Sequence, residues 1–227
     1  MAVETAARAT RAPWLINYLL TLDGAISLRI HSLFRPYVPV FILMLLEFSA
    51  DFRLFFPIAI GVSVFPVAVP FLPFLSRLIF GLILDILVIA VAKLLFRRQR
   101  PSYNPSMSAA VSVDHFSFPS GHASRAFFVA SLVFLSSASL YSALTHSNHW
   151  HGHGNEEKTV QLVIIIVLIW AISTAASRVL LGRHYLLDVL AGVGMGICEG
   201  IVAFHFVNCE DYILKLSSLI GYYLPSR

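Results

Sequence analysis

Long apolar stretches separated by short polar segments fill residues 36–208 of the chain. A helix needs about 20 apolar residues to span a bilayer, and several of these stretches approach or exceed that length. One membrane-spanning helix is predicted for each of four stretches: 74–96, 123–144, 159–181 and 185–206. The pattern therefore predicts an all-α fold, a multi-pass transmembrane helical bundle.

The two stretches before residue 74 follow this pattern less closely. Residues 37–46 are apolar but too short to span alone, whereas residues 54–72 are long enough. Four prolines lie in or directly after the second stretch: Pro57, Pro66, Pro70 and Pro73. Proline is tolerated in membrane helices when neighbouring groups satisfy the freed carbonyls. We therefore expect five or six helices in a transmembrane domain at 36–208.

The two ends of the chain are more polar than this domain. Residues 1–35 are mixed in polarity and predict a short amphipathic or irregular lead-in at the membrane surface. Residues 209–227 are expected to form a C-terminal tail. We expect no cleavable signal peptide, because residues 1–14 mix charges and proline without an apolar core.

The composition supports membrane insertion. Hydrophobic residues make up 58% of the chain and charged residues 12%, whereas a soluble domain carries about 25% charged residues. The chain therefore has too little polar surface for a soluble protein. Its net charge of +4 is spread thinly, and without a basic soluble module nucleic-acid binding is excluded.

Polar residues collect at the ends of the predicted helices in three clusters: Lys93 to Arg100, Ser120 to His122, and Ser177 to Asp188. The first cluster ends one helix and the second begins the next. Two further crossings return the chain to the same side at the third cluster. Counting crossings therefore places all three clusters at one membrane face, where residues distant in sequence can act together.

Two of the clusters have the chemistry of a phosphate site. Lys93 and Arg100 are cations at a helix end, and a guanidinium can give two parallel hydrogen bonds to a phosphoryl group. Ser120 and Gly121 stand at a helix start, where free backbone N–H groups favour an anion. Gly121 lets the backbone approach closely, and Arg178 in the third cluster adds a further cation.

The histidines supply candidate catalytic groups. His184 and Asp188 are four residues apart and share one helix face, so the carboxylate can accept from one imidazole nitrogen. The other nitrogen is then free to attack phosphorus, as in other oriented nucleophiles. His122 is a candidate acid for the leaving oxygen, a contribution typically worth about 10²–10⁴ in rate.

Each residue alone has an ordinary structural explanation. Basic residues at helix ends usually reach towards anionic headgroups, so membrane lipids are expected partners. Asp85 and Glu199 could line a path in a membrane scaffold or transporter, although pairing with a neighbouring helix explains them equally well. A run of histidines at His146, His149, His151 and His153 could suggest a metal site, but it falls on the opposite membrane face. We therefore predict no metal ligand.

The three clusters resemble the motifs of the type 2 phosphatidic acid phosphatase superfamily. These motifs are Lys, six residues, Arg-Pro; then Pro-Ser-Gly-His; then Ser-Arg, five residues, His, three residues, Asp. The chain contains all three without departure, at Lys93 to Pro101, Pro119 to His122, and Ser177 to Asp188. The resemblance implies a metal-independent membrane phosphatase without a cofactor. It also implies a role for each residue: His184 as nucleophile, Asp188 as its partner, His122 as acid, and Lys93, Arg100, Ser120, Gly121, His122 and Arg178 as phosphate-binding residues.

The stretch Ser112–Phe118 and the run Arg97–Pro101 resemble the polyisoprenoid (presqualene) diphosphate phosphatase branch of that superfamily. The expected substrate is therefore a prenyl diphosphate or another lipid phosphate, such as phosphatidate, lysophosphatidate or a sphingoid phosphate. The resemblance also favours the endoplasmic reticulum as the location. The membrane side of the active site and the oligomeric state do not follow from the sequence.

Overall fold

The computed structural model describes residues 14–103, 115–146 and 155–207. Within these residues the chain forms eight α-helices: α1 (Trp14–Phe34), α2 (Val40–Ser49), α3 (Phe52–Ser63), α4 (Leu72–Phe96), α5 (Gly121–Leu135), α6 (Ser137–His146), α7 (Glu156–Leu180) and α8 (Leu186–Phe206). Two short 3₁₀ helices lie at Arg35–Tyr37 and Pro66–Phe71. The predicted all-α fold is confirmed.

Three helical segments are long and apolar enough to cross a bilayer: Ala68–Phe96, Glu156–Leu180 and Leu186–Phe206. Two further pairs of helices meet the requirements of length and apolarity when each pair is taken together, and both pairs are bent, α1 with α2 by 113° and α5 with α6 by 61°. The described residues therefore provide three to five spans. The protein is a multi-pass transmembrane helical bundle.

The described part of the N-terminal segment is a helix, longer than the short amphipathic or irregular lead-in that we expected. Residues Trp14–Phe34 form a helix of 21 residues. Two of its polar side chains, Asp23 and Ser27, are buried, 4% and 0% exposed, against the start of α8. These two polar positions therefore mark a contact between helices, and the surface lead-in at residues 1–35 stays a prediction.

Two predicted helices are interrupted. The stretch 54–72 is divided because α3 ends at Ser63 and Phe65 is extended, at φ −85° and ψ 140°. Pro66 explains this break, since proline disfavours helical backbone at the residue before it. The stretch 123–144 is likewise two helices that meet at Ser136, where no proline or glycine marks the break in the sequence.

Helices α5 and α8 pack closely along a row of glycines. A methyl group on Gly192 would overlap the carbonyl oxygen of Ser120, and one on Gly196 would overlap that of Ser124. Gly200 continues the same contact one turn further along α8. Small residues let membrane helices approach in this way. The packing places the N-termini of α5 and α8 side by side.

A group of buried charged and polar side chains connects three helices in the middle of the bundle. Arg125 on α5 contacts Asp85 on α4 at 2.7 Å and donates to the carbonyl of Ala50 at 2.8 Å. Ser124 donates to Glu199 on α8 at 3.2 Å. Asp85 and Glu199 therefore pair with a neighbouring helix, which is the structural explanation offered above.

Candidate active site

A cavity of about 360 Å³ lies where α4 ends and α5 and α8 begin. Four residues of the three motifs line it: Lys93, Gly121, His122 and His184. Its remaining wall is formed by Asp51, Phe52, Arg53, Ile86, Ile89, Ala90 and Arg125. The structure thus brings residues from all three motifs to one cavity, as counting the crossings predicted.

Short backbone contacts join the described residues that follow the first motif to those that precede the second. Arg97 adopts the left-handed conformation, with φ 45°, and ends α4. Beyond it, Gln99 and Phe116 form an antiparallel bridge, and the Ser117 N–H donates to the carbonyl of Arg98 at 2.8 Å. The Ser120 N–H donates to the carbonyl of Asp188 at 3.0 Å. These contacts set the start of α5 against the start of α8.

His184 lies in the turn between α7 and α8 and is 2% exposed. Its Nδ1 is 2.7 Å from the carbonyl oxygen of Ser117, which can only accept, so Nδ1 carries the proton of the neutral ring. The lone pair of the neutral ring is then on Nε2. Burial lowers the pKa of His184 well below 6.5, and the positive charges of Arg178, Arg100 and Lys93 lower it further. The ring is therefore neutral at pH 7 and able to act as a nucleophile.

Asp188 lies next to His184 but does not form the hydrogen bond that we predicted. Its Oδ2 is 4.0 Å from His184 Nδ1 and instead accepts from the Tyr185 N–H at 2.9 Å. Its Oδ1 accepts from Arg98 at 2.6 Å. The prediction considered only the spacing of four residues, whereas Asp188 in the first turn of α8 turns towards the amide that starts the helix. The direct hydrogen-bond partner of the imidazole is the Ser117 carbonyl.

The cations of the motifs are largely buried. Arg178 is 1% exposed and lies 3.2 Å from the carboxylate of Glu47, which also contacts Arg183 at 3.1 Å. Arg100 donates to the carbonyl of Arg183 at 3.3 Å. Lys93 is 6% exposed. Glu47 therefore holds two of the guanidiniums beside the site, a role that the sequence analysis did not assign.

The second motif presents polar atoms without protein partners. Ser120 Oγ and His122 Nε2 are buried, and neither has a hydrogen-bond partner within the described part of the chain. Buried polar groups are normally paired, so unpaired ones at a cavity point to a ligand. The N-terminus of α5 adds free backbone N–H groups at the same place. An anion with several acceptor oxygens fits these donors.

Several residues at the site escaped the sequence analysis. Asp23 and Ser27 come from α1, and Ser117 supplies a backbone carbonyl. Arg98 was noted only as part of the basic cluster. The available signal was the pair Asp23 and Ser27, two polar residues four apart. Such a pair on one helix face indicates a buried polar contact.

Other predictions lie at or beyond the edge of the described residues. Residues 112–114 of the stretch that resembles the polyisoprenoid branch are outside them. So are three of the four histidines of the run, at 149, 151 and 153. In the described ranges, no group of three or more His, Cys, Asp or Glu side chains could hold a metal ion.

Comparisons of the chain with known proteins indicate its family. A family model described as the PAP2 superfamily matches residues 74–211. The probable lipid phosphate phosphatase beta of Arabidopsis thaliana is 45% identical over 204 residues, which cover 87% of this chain and 94% of that protein. Phosphatidylglycerophosphatase B of Bacillus subtilis is 29% identical over 196 residues, 86% of this chain and 77% of that protein.

The fold agrees with these matches. The crystal structure of a transmembrane PAP2-type phosphatidylglycerolphosphate phosphatase from Bacillus subtilis is similar with a TM-score of 0.63. It is 23% identical in sequence, and the match covers 84% of this chain and 86% of that chain. The family model covers more than half of the sequence, and the plant relative is similar over nearly its whole length. The chain therefore belongs to the PAP2 superfamily.

Proposed function

We propose that this integral membrane protein is a lipid phosphate phosphatase in which His184 is the nucleophile. The observation that carries the proposal is the cavity that a buried, neutral His184 shares with Lys93, His122 and the N-terminus of α5. At this cavity His122 Nε2 has no partner among the described residues and Lys93 is buried, and the volume of about 360 Å³ leaves room for a phosphate. The cavity lies at the ends of membrane helices, so a lipid can present its headgroup there without leaving the bilayer.

In the first step, Nε2 of His184 attacks phosphorus and the bond from phosphorus to the lipid oxygen breaks. His122 gives a proton to the leaving oxygen, which departs as an alcohol or as a lipid monophosphate. In the second step, water attacks the phosphohistidine, the P–N bond breaks, and His122 takes the proton of the water. Phosphate leaves and both histidines return to their starting state.

The surrounding residues stabilise these steps. Arg178, Arg100 and Lys93 act on the charge that spreads over the equatorial phosphoryl oxygens, the role that metal ions have in other phosphoryl-transfer enzymes. Ser120 and the backbone at Gly121 donate hydrogen bonds to the same oxygens. The Ser117 carbonyl holds the imidazole with Nε2 free, and Asp188 places a carboxylate 4.0 Å from the ring. A carboxylate at that distance stabilises the positive charge that the ring gains on attack.

The walls of the cavity favour a substrate with an apolar tail. Phe52, Ile86, Ile89 and Ala90 form one side of it, adjacent to the cations. Two relatives are named for lipid phosphates, one of them for phosphatidylglycerophosphate. We extend the proposal to polyisoprenoid diphosphates, because the stretch Ser112–Phe118 and the run Arg97–Pro101 resemble that branch of the superfamily.

The test is release of phosphate by the purified protein in detergent with a chelator present. The substrates are farnesyl and presqualene diphosphate, phosphatidate, lysophosphatidate and a sphingoid phosphate. We expect turnover of at least one class, and we expect His184→Ala to lower kcat on the order of 10⁴-fold or more while elution on size exclusion is unchanged. A variant that kept most of its activity would remove His184 from the mechanism. Turnover of glycerolipid phosphates alone would remove the prenyl extension and leave the phosphatase in place.

The endoplasmic reticulum stays a prediction for the location. Fluorescence of a tagged protein in its own cells, compared with markers of several membranes, tests it directly. Colocalisation with another membrane would contradict it.

A further inference from the structure

The N-terminal helix α1 contacts the active site through two buried side chains. The Leu186 N–H donates to Ser27 Oγ at 2.8 Å, and the Leu187 N–H donates to Asp23 Oδ1 at 3.0 Å. Both amides belong to the first turn of α8, which lacks partners inside its own helix. The preceding amide, of Tyr185, is paired with Asp188. Thus α1 caps the helix that directly follows His184.

Arg98 joins the same two acids. Its guanidinium donates to Asp188 Oδ1 and to Asp23 Oδ2, each at 2.6 Å, and lies over the ring of Tyr185 at 4.1 Å. The carbonyl of Arg98 also accepts from the Ser117 N–H, and Ser117 holds the His184 ring. Arg98 is therefore connected to the nucleophile on two sides, through a carboxylate and through the backbone.

The charge of this arrangement depends on α1. The group of Asp23, Arg98 and Asp188 carries a net charge of about −1, because two carboxylates share one guanidinium. Both carboxylates are nearly inaccessible, with side chains 2% and 0% exposed, so their charges are weakly screened. Attack on phosphorus makes the imidazole positive, and a nearby negative charge stabilises that state over the resting ring.

We propose that α1 is a positioning element of the active site, in which Asp23 and Ser27 hold the start of α8 and Asp23 shares Arg98 with Asp188. The inference rests on the proposed phosphatase function and adds residues that lie outside the family match at 74–211. Without Asp23, Arg98 pairs with Asp188 alone, and this pair has no net charge with which to stabilise a positive imidazole. The transition state, in which the imidazole becomes positive, then loses electrostatic stabilisation, whereas the bound substrate beside a neutral imidazole does not.

The test compares Asp23→Asn with the wild-type protein in detergent. We expect kcat to fall roughly 10- to 100-fold, the cost typical of a displaced or less stabilised reacting group. KM should stay within about threefold, since a change confined to the transition state leaves ground-state binding intact. Vanadate mimics the five-coordinate transition state, so its inhibition constant should rise by about the same factor as kcat falls. The inhibition constant of the product phosphate should not change.

Two further variants separate positioning from folding. Ser27→Ala removes one cap without a change of charge and should lower kcat about two- to tenfold, with a matching loss of vanadate affinity. Thr21→Ala removes a hydroxyl on the exposed face of the same helix, where Thr21 donates to the carbonyl of Asn17 at 2.8 Å, and should behave as wild type. If Asp23→Asn gives no folded protein, Ser27→Ala decides the question.

Two results would overturn the inference. One is a kcat equal to that of the wild type in Asp23→Asn, or in Ser27→Ala if Asp23→Asn does not fold. The other is an equal loss of affinity for phosphate and vanadate, which a general distortion of the site would produce. Activity retained in His184→Ala contradicts the proposed function instead, so the two failures are distinguishable.

Discussion

Two groups of buried charges lie in the bundle, and they differ in how their charge is balanced. The interior cluster, defined by Asp85, Ser124, Arg125 and Glu199, places an arginine directly against an acid at 2.7 Å. The phosphate end, defined by Lys93, Arg100, Arg178 and His184, places three cations around a neutral ring. Both groups are buried, but only the second is built around a positive field.

This difference separates a structural site from the proposed ligand site. A buried charge is costly to desolvate unless a partner of opposite sign compensates it, and the interior cluster supplies that partner from another helix. At the phosphate end, Glu47 bridges Arg178 and Arg183, while the field at His184 remains positive. A phosphate dianion would balance that field. The two clusters should therefore respond to mutation in opposite ways, one through stability and the other through activity.

The strongest test of the comparison removes the acid of the interior cluster. Asp85→Ala leaves Arg125 buried without its carboxylate, which we expect to destabilise the protein by roughly 3–5 kcal/mol. The activity of the folded fraction should stay within about threefold of wild type, because Asp85 does not line the cavity. Unfolding in detergent and kcat per folded molecule measure the two effects. His184→Ala should give the reverse pattern.

A double variant sharpens this result. Asp85→Leu combined with Arg125→Met removes both charges and should recover most of the lost stability, as for other buried ion pairs replaced by apolar groups. Recovery of stability is the readout here, because Arg125 also lines the cavity and its loss can affect turnover. If the double variant were no more stable than Asp85→Ala, the ion pair of Asp85 and Arg125 would not be what balances the buried charge of the interior cluster.

The contrast also explains what the sequence could predict. The convergence of Lys93, His122 and His184 followed from the positions of helix ends, because each crossing reverses the side of the chain. The spacing within each motif is local and can be read directly. The position of the phosphate end was therefore accessible from the sequence, as were the limits of α4, α7 and α8 to within three residues.

Contacts between distant segments were not accessible in this way. The partner of His184 is a backbone carbonyl, at Ser117, which any residue type could provide. Asp23 and Ser27 act on α8 from a helix that the mixed polarity of residues 1–35 concealed. Whether a polar residue faces water or another helix depends on packing across the fold, and a single sequence contains no record of that packing.

The contact between α5 and α8 connects the two clusters, and its glycines allow a matched comparison. A methyl group on Gly196 would meet the backbone of Ser124 and Phe128, whereas one on Gly194 would meet nothing within 4 Å. Gly196→Ala should therefore destabilise the protein by about 1–3 kcal/mol through overpacking. Gly194→Ala should be neutral or stabilising by up to about 1 kcal/mol, because alanine is the better helix former.

Thermal unfolding of the two alanine variants in the same detergent measures this difference. The Ser124 to Glu199 hydrogen bond crosses the interface beside Gly196, so the larger effect should extend to the interior cluster. Equal stability of the two variants would show that the helices can separate slightly at no cost. The close packing would then not be what keeps the clusters in register.

The smallest expected effect concerns pH and the phosphate end alone. Burial and the adjacent cations hold the pKa of His184 well below 6.5, while the unfolded chain binds a proton near that value. Between the two pKa values the unfolded state carries more protons, so stability must rise with pH. The contribution of His184 is fully present above about pH 6.5 and is lost as the pH falls towards the lowered pKa.

His184→Asn removes this titration and serves as the reference. From pH 7.5 to 5.5, wild type should lose up to about 1.4 kcal/mol of stability relative to the variant, the value of one pH unit of differential proton binding. The same relative loss should occur when both proteins also carry Asp85→Ala, because the interior cluster does not set the field at His184. If the loss of stability relative to His184→Asn disappeared in the Asp85→Ala background, the two clusters would share one electrostatic environment. That result would contradict their division into a structural site and a proposed ligand site.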